Sequence, residues 1–195
     1  VHTGFNKRDM MANPTLNTGE PFGLAKFLKH PPESFSKEEI SKRAKKYGFT
    51  QPQFLELLAW DYEIAAQLQA VNGNLILKGG AAVQLYLPPE DQRSSVDVDI
   101  LAPHSMQSNP GPDGLSTGFE LVMGQVRSHI SMLSGFNERL HKPKEPEVRL
   151  PMETRYITLP SNFSQMGRKT CEIKVDILFA DYNTPITTIN EPQTV

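Results

Sequence analysis

The longest stretch of helical periodicity lies between residues 51 and 73. Phe54, Leu55, Leu58, Tyr62, Ala65, Ala66 and Leu68 recur at three- and four-residue intervals, with Pro52 in the first turn and Val71-Asn72-Gly73 at the end. A shorter helix precedes it. Ser36 and Glu39 form a capping box, and the run closes near Tyr47-Gly48. Leu75-Ile76-Leu77 is a short apolar run leading into Lys78-Gly79-Gly80, and Ala81 to Leu87 reads as a short helix stopped by Pro88-Pro89. Val96 to Leu101 predicts a strand, Phe119 to about Leu133 an amphipathic helix, and Arg155 to Leu159 a second strand. Thr170 to Phe179 is the longest strand; Ile173, Val175, Ile177 and Phe179 face one way and Glu172, Lys174 and Asp176 the other.

Between these elements the pattern dissolves. Residues 1–35 are rich in Asn, Pro, Gly and Thr and predict an irregular arm, with at most a short helix around Leu24–Leu28. His104 to Thr117 and residues 141–151 read as loops. The expected division is therefore an arm over 1–35 and a core domain over 36–195. The element order implies an α+β fold, an α/β sandwich with a small mixed sheet flanked by helices. No internal repeat is visible.

Composition narrows the classes. At 195 residues, with 38% hydrophobic and 22% charged, the chain fits a globular domain. No apolar run approaches the ~18 residues of a membrane span, and no secretory signal opens the chain. The single cysteine, Cys171, excludes an internal disulfide; together these features lead us to expect a reducing, cytoplasmic setting without a membrane partner. Charge is uneven. Residues 1–50 hold nine Lys/Arg against five Asp/Glu, and residues 51–100 hold two against seven. Lys37, Lys42, Arg43, Lys45 and Lys46 form either a phosphate-facing patch or a solvated helix face.

Candidate chemistry concentrates in the acidic block. In Val96-Asp97-Val98-Asp99-Ile100 the two aspartates share one face of a strand whose other face is apolar. Two adjacent carboxylates repel unless a cation lies between them, which suits Mg2+ carried on a nucleotide phosphate; an acidic face kept for solubility is the other reading. Gly79-Gly80, at a strand-to-helix turn, offers close approach of phosphate oxygens to free N–H groups, or only the shape of a tight turn. Asp176 lies in an otherwise apolar strand. Beside Asp97 and Asp99 it completes a set able to hold two Mg2+ ions roughly 3.5–4 Å apart; alternatively it pairs with a neighbouring Lys or Arg. His2, His30, His104, His129 and His141 show no metal-ligand spacing. Cys171 reads as a structural thiol, Trp60 and Tyr62 as helix packing, and Arg168-Lys169 as an exposed basic turn or a contact to RNA backbone.

These motifs share their order with a known family. Lys78-Gly79-Gly80, then Arg93-Ser94-Ser95-Val96-Asp97-Val98-Asp99, then Lys174-Val175-Asp176, resemble the K-G-G, R-x-S-x-D-x-D and K-x-D pattern of AbiEii/AbiGii toxin-like nucleotidyltransferases, a branch of the DNA-polymerase-β-type superfamily. The helix carrying Trp60-Asp61-Tyr62 is similar to the one before K-G-G there. The resemblance covers roughly residues 50–180. Sixteen residues separate Gly80 from Asp97, more than is usual there, and Pro88-Pro89-Glu90-Asp91-Gln92 takes up the excess as a loop.

The resemblance implies an NTP-dependent nucleotidyltransferase using Mg2+, with RNA or tRNA as favoured acceptor and a cognate antitoxin as partner. Asp97, Asp99 and Asp176 would hold the metals, and Asp176 would accept a proton. Gly79 and Gly80 would receive the triphosphate, Ser95 would lie beside it, and Lys174 would contact phosphate. Lys78 and Arg93 join the nucleotide-binding set, or serve only as strand cap and loop brace. A small-molecule or protein acceptor, or an idle nucleotide-binding module, remains open at this level. Family members continue past K-x-D into a helical lobe, so a chain running from Val1 to Val195 is expected to be a fragment lacking it.

Overall fold

The computed structural model describes residues 28–93, 95, 97–107, 117–141, 152–163 and 168–181. Most of the predicted arm, including the short helix up to residue 27, lies outside these residues, as do most of the two predicted loops. His104–Met106, within the first loop, forms a 3-10 turn.

Helix α1 spans Lys37–Lys46, and the Ser36 hydroxyl accepts the Glu39 N–H at 3.2 Å, as the capping box predicts. Its apolar side, Ile40 and Ala44, packs on α2, Pro52–Val71. Helix α2 is the hub of the domain. Trp60 is fully buried, its Nε1 donates to the Pro160 carbonyl at 3.0 Å, and its ring stacks on Phe35 at 4.2 Å. A 3-10 turn over Pro32–Phe35 delivers that ring, so the last residues of the expected arm belong to the core.

The remaining elements are β1 (Ile76–Lys78), α3 (Gly79–Gln84), β2 (Asp97–Ala102), α4 (Thr117–Ile130), β3 (Asn137–Leu140), β4 (Met152–Pro160) and β5 (Thr170–Phe179). The sheet runs β1-β2-β5-β4-β3, with β2 and β5 parallel and every other pair antiparallel. This is the mixed sheet and α+β class that the pattern implies. Three differences have local causes. Strand β3, Asn-Glu-Arg-Leu, is unanticipated because an exposed edge strand needs no apolar alternation. Strand β4 begins three residues early because Met152, Glu153 and Thr154 pair with β5. Helix α3 starts at Gly79 instead of Ala81 and gives way after Gln84 to successive turns.

The two faces of the sheet differ sharply. Val98, Ile100, Ile157, Ile173, Val175 and Ile177 are at most 1% exposed against α2 and α4. Each such side chain contributes ~1.5–3 kcal/mol of burial. The alternate residues, Asp97, Asp99, Lys174 and Asp176, are half-buried on the opposite face, with α3 beside β2. Burial of the apolar face thus fixes which way the acidic residues point.

Candidate active site

Register assembles the site. Lys78 on β1 pairs with Asp99 on β2, Asp99 with Asp176 on β5, and Asp97 with Lys174. Residues opposite each other in a ladder share a face, so five charged side chains meet on two rows. Carboxylate oxygens of Asp97, Asp99 and Asp176 all lie within 4.8 Å of one another.

Two lysines balance these acids. Lys174 Nζ donates to Asp176 Oδ2 and lies 3.9 Å from Asp97 Oδ2; Lys78 Nζ is 3.6 Å from Asp99 Oδ1. Asp176 therefore lies in the carboxylate cluster and is also the ion-pair partner of Lys174. Burial, and then the neighbouring Asp99 carboxylate, raise the Asp97 pKa above the usual range. The hydrogen bond to Asp176 raises that of Lys174. A cluster of hard oxygen donors, partly open and crowded enough to perturb Asp97, fits a divalent cation.

The glycine turn is shaped by the same acids. Gly79 has φ +68°, and a Cβ there would collide with the Asp99 carboxylate. A Cβ on Gly80 would sit 3.2 Å from the Ser95 hydroxyl. Ser95 is buried, and its Oγ donates to the Asp97 carbonyl at 3.0 Å, bracing the entry to β2. Tyr62 OH, from α2, donates to the Ala81 carbonyl at 3.4 Å and steadies α3. Arg93 is exposed; its backbone N–H donates to Gln84 Oε1 at 2.7 Å, which ties the loop to α3.

The residues of this site fall within a known protein-family model. The model described as nucleotidyl transferase AbiEii toxin, type IV TA system, matches residues 64–195. The chain belongs to this family. A comparison with curated proteins gives no significant match. The part of the AbiEii nucleotidyltransferase domain matched here contains every strand of the described sheet, together with Gly79-Gly80 and all three aspartates.

Two residues near the triad escape sequence reasoning. Thr154 Oγ1, on β4, donates to Asp176 Oδ1 at 2.5 Å. Asp61, on α2, is fully buried, and neither of its carboxylate oxygens has a hydrogen-bond partner. Burial, and then the Asp97 charge, push its pKa up to about 8. The only signal for Asp61 was an acid inside an apolar helix. The same helix buries Glu56, held by Ser161 and Asn162, and Glu63, held by His30, Lys29 N–H and Gln67.

Other candidates settle elsewhere. A cavity of about 420 Å³ lies on the helix-covered side, lined by residues including Glu120, Arg127, Phe136, Glu138 and Arg155. Its buried Arg155 is already spent on Glu120, Glu138 and Glu153. Burial, with Glu56 adding, pushes the Cys171 thiol up to about 12, consistent with a structural role. Lys37, Lys42, Lys45, Lys46, Arg168 and Lys169 are exposed, and Arg43 pairs with Glu39. No helix among the described residues is long and apolar enough to cross a membrane.

Proposed function

We propose that this AbiEii nucleotidyltransferase uses Mg2+ and transfers NMP from an NTP to a hydroxyl of RNA, with tRNA the favoured acceptor. The observation carrying the reading is the convergence of the Asp97, Asp99 and Asp176 carboxylates within 4.8 Å on one face of the sheet.

Asp97, Asp99 and Asp176 would hold the ions, and Mg2+ bound there would lower the pKa of the attacking hydroxyl and neutralise charge on the leaving pyrophosphate. The acceptor oxygen bonds to the α-phosphorus, the bond from that phosphorus to the bridging oxygen breaks, pyrophosphate leaves, and Asp176 receives the hydroxyl proton. Gly79 and Gly80 present N–H groups that a side chain would otherwise screen. With six residues, α3 adds little dipole, so close approach matters more than the helix field. Lys174 and Lys78 turn from their present carboxylate partners to phosphate, while Ser95 and Arg93 keep the β2 entry in place. The family's toxin–antitoxin setting supports a cognate antitoxin as partner.

The test is incubation of the chain with labelled NTPs, Mg2+ and total tRNA, beside Asp97→Ala/Asp99→Ala. Label in tRNA that vanishes in the double variant and on chelation is the expected result. Equal labelling by both proteins would overturn the mechanism.

A further inference from the structure

The open face of the sheet does not end at the triad. Across the strands, Asp97 pairs with Lys174, Lys174 with Tyr156 on β4, and Tyr156 with Arg139 on β3. Thr154, two residues before Tyr156, is the register partner of Asp176. Tyr156 is thus the diagonal neighbour of Asp176, their Cα atoms roughly 7–8 Å apart. That is about the reach from a ribose hydroxyl to its own base.

The Arg139 guanidinium lies over the Tyr156 ring, 3.7 Å from its centroid. Glu172 grips the guanidinium edge through two hydrogen bonds of 3.0 and 3.3 Å. The Arg139 side chain is still 51% exposed. The carboxylate therefore fixes the plane of the guanidinium and offsets much of its charge. What it presents is a flat, preorganised surface. The exposed His141 ring stands edge-on to Tyr156, 6.3 Å away. Proteins stack unpaired bases on aromatic rings and on guanidinium planes, and single-stranded ends are the form in which RNA offers such bases.

We propose that Tyr156 and Arg139 form a stacking platform for the last base of a single-stranded RNA acceptor, placing its terminal ribose hydroxyl beside Asp176. The proposal rests on the nucleotidyltransferase reading for its acceptor chemistry, but its binding test does not need turnover. Thr154 Oγ1, whose proton is committed to Asp176, keeps a lone pair that accepts from the 2′-hydroxyl and favours RNA over DNA.

The experiment measures fluorescence anisotropy of a short 5′-labelled single-stranded oligoribonucleotide on the full chain. Tyr156→Ala raises Kd about tenfold, as loss of one stacked base does, whereas Tyr156→Phe stays within about twofold. Arg139→Lys keeps the charge, loses the plane and raises Kd several-fold. Thermal melts of the same variants exclude unfolding as the cause. Unchanged binding by Tyr156→Ala, or an Arg139→Lys variant equal to the parent, overturns the platform. Equal affinity for the matching oligodeoxyribonucleotide overturns the RNA assignment. Labelling of RNA with a KM indifferent to Tyr156→Ala sinks the platform and leaves the transferase standing. Tyr156-dependent binding with no labelling of any acceptor does the reverse.

Discussion

The Thr154 hydroxyl donates to Asp176 Oδ1 at 2.5 Å while Lys174 donates to Oδ2 of the same carboxylate. Asp176 is thereby held from both sides, by a neutral group on β4 and a cation on β5. Thr154→Val removes the donor and keeps the shape. If Asp176 serves as the proposed metal ligand, such a partner is worth about 10–100-fold in activity, so labelled transfer falls by that range and Thr154→Ser restores most of it. A melting curve close to the parent's, measured alongside, separates this from a folding defect.

Gly79→Ala tests the turn. Its φ of +68° and the overlap of a Cβ with Asp99 act together. Stability drops by about 1–3 kcal/mol and Asp99 is displaced, so transfer activity is lost. Gly80→Ala meets only the Ser95 hydroxyl at 3.2 Å and is milder on both counts. Urea titrations and the labelling assay read the two effects, and equal behaviour of the two variants contradicts the geometry.

Asp61 makes stability depend on pH. In the folded protein its pKa is raised from 3.8 to about 8, first by burial and then by Asp97. The folded state thus binds the proton more tightly than the unfolded state. This contribution is complete below the unfolded value and is lost as pH rises toward about 8, at up to ~1.4 kcal/mol per unit. Asp61→Asn removes that slope. Urea unfolding at several pH values shows the variant gaining on the parent as pH increases; parallel curves would refute the assignment.

Arg155 is 2% exposed and holds Glu120, Glu138 and Glu153. Their attraction outweighs the opposing effect of burial and raises its pKa. Arg155→Ala strips Glu153 of this partner and leaves Glu120 and Glu138 to Arg127 alone, at a cost of about 3–5 kcal/mol in denaturant midpoint analysis. Arg139→Ala, whose Glu172 partner is 45% exposed, costs ~1 kcal/mol or less.

The sequence carried local information well. The Ser36 cap marked α1 and Pro52 in the first turn marked α2, and the alternation around Asp97 and Ile173 marked the two parallel strands, because each signal lies within a few residues. The three aspartates were legible for the same reason: each is an acid out of place in an apolar strand. Thr154 was not, since its role exists only through the β4–β5 register. Asp61 read as part of a helix, and nothing nearby in the chain announces that its carboxylate finds no partner. Strand β3 was invisible because Asn137-Glu138-Arg139-Leu140 owes its conformation to β4 alone.

The parallel pairing of β2 with β5 also sets when the site exists. Asp97 and Asp99 leave the ribosome long before Asp176, and the hairpin of β3 and β4 is made in between. Until β5 slides in between β2 and β4, a growing chain has an acidic strand with no third carboxylate and no Lys174 beside it. The carboxylate cluster is thus a product of long-range pairing: it is complete only once β5 has been made and has paired with β2.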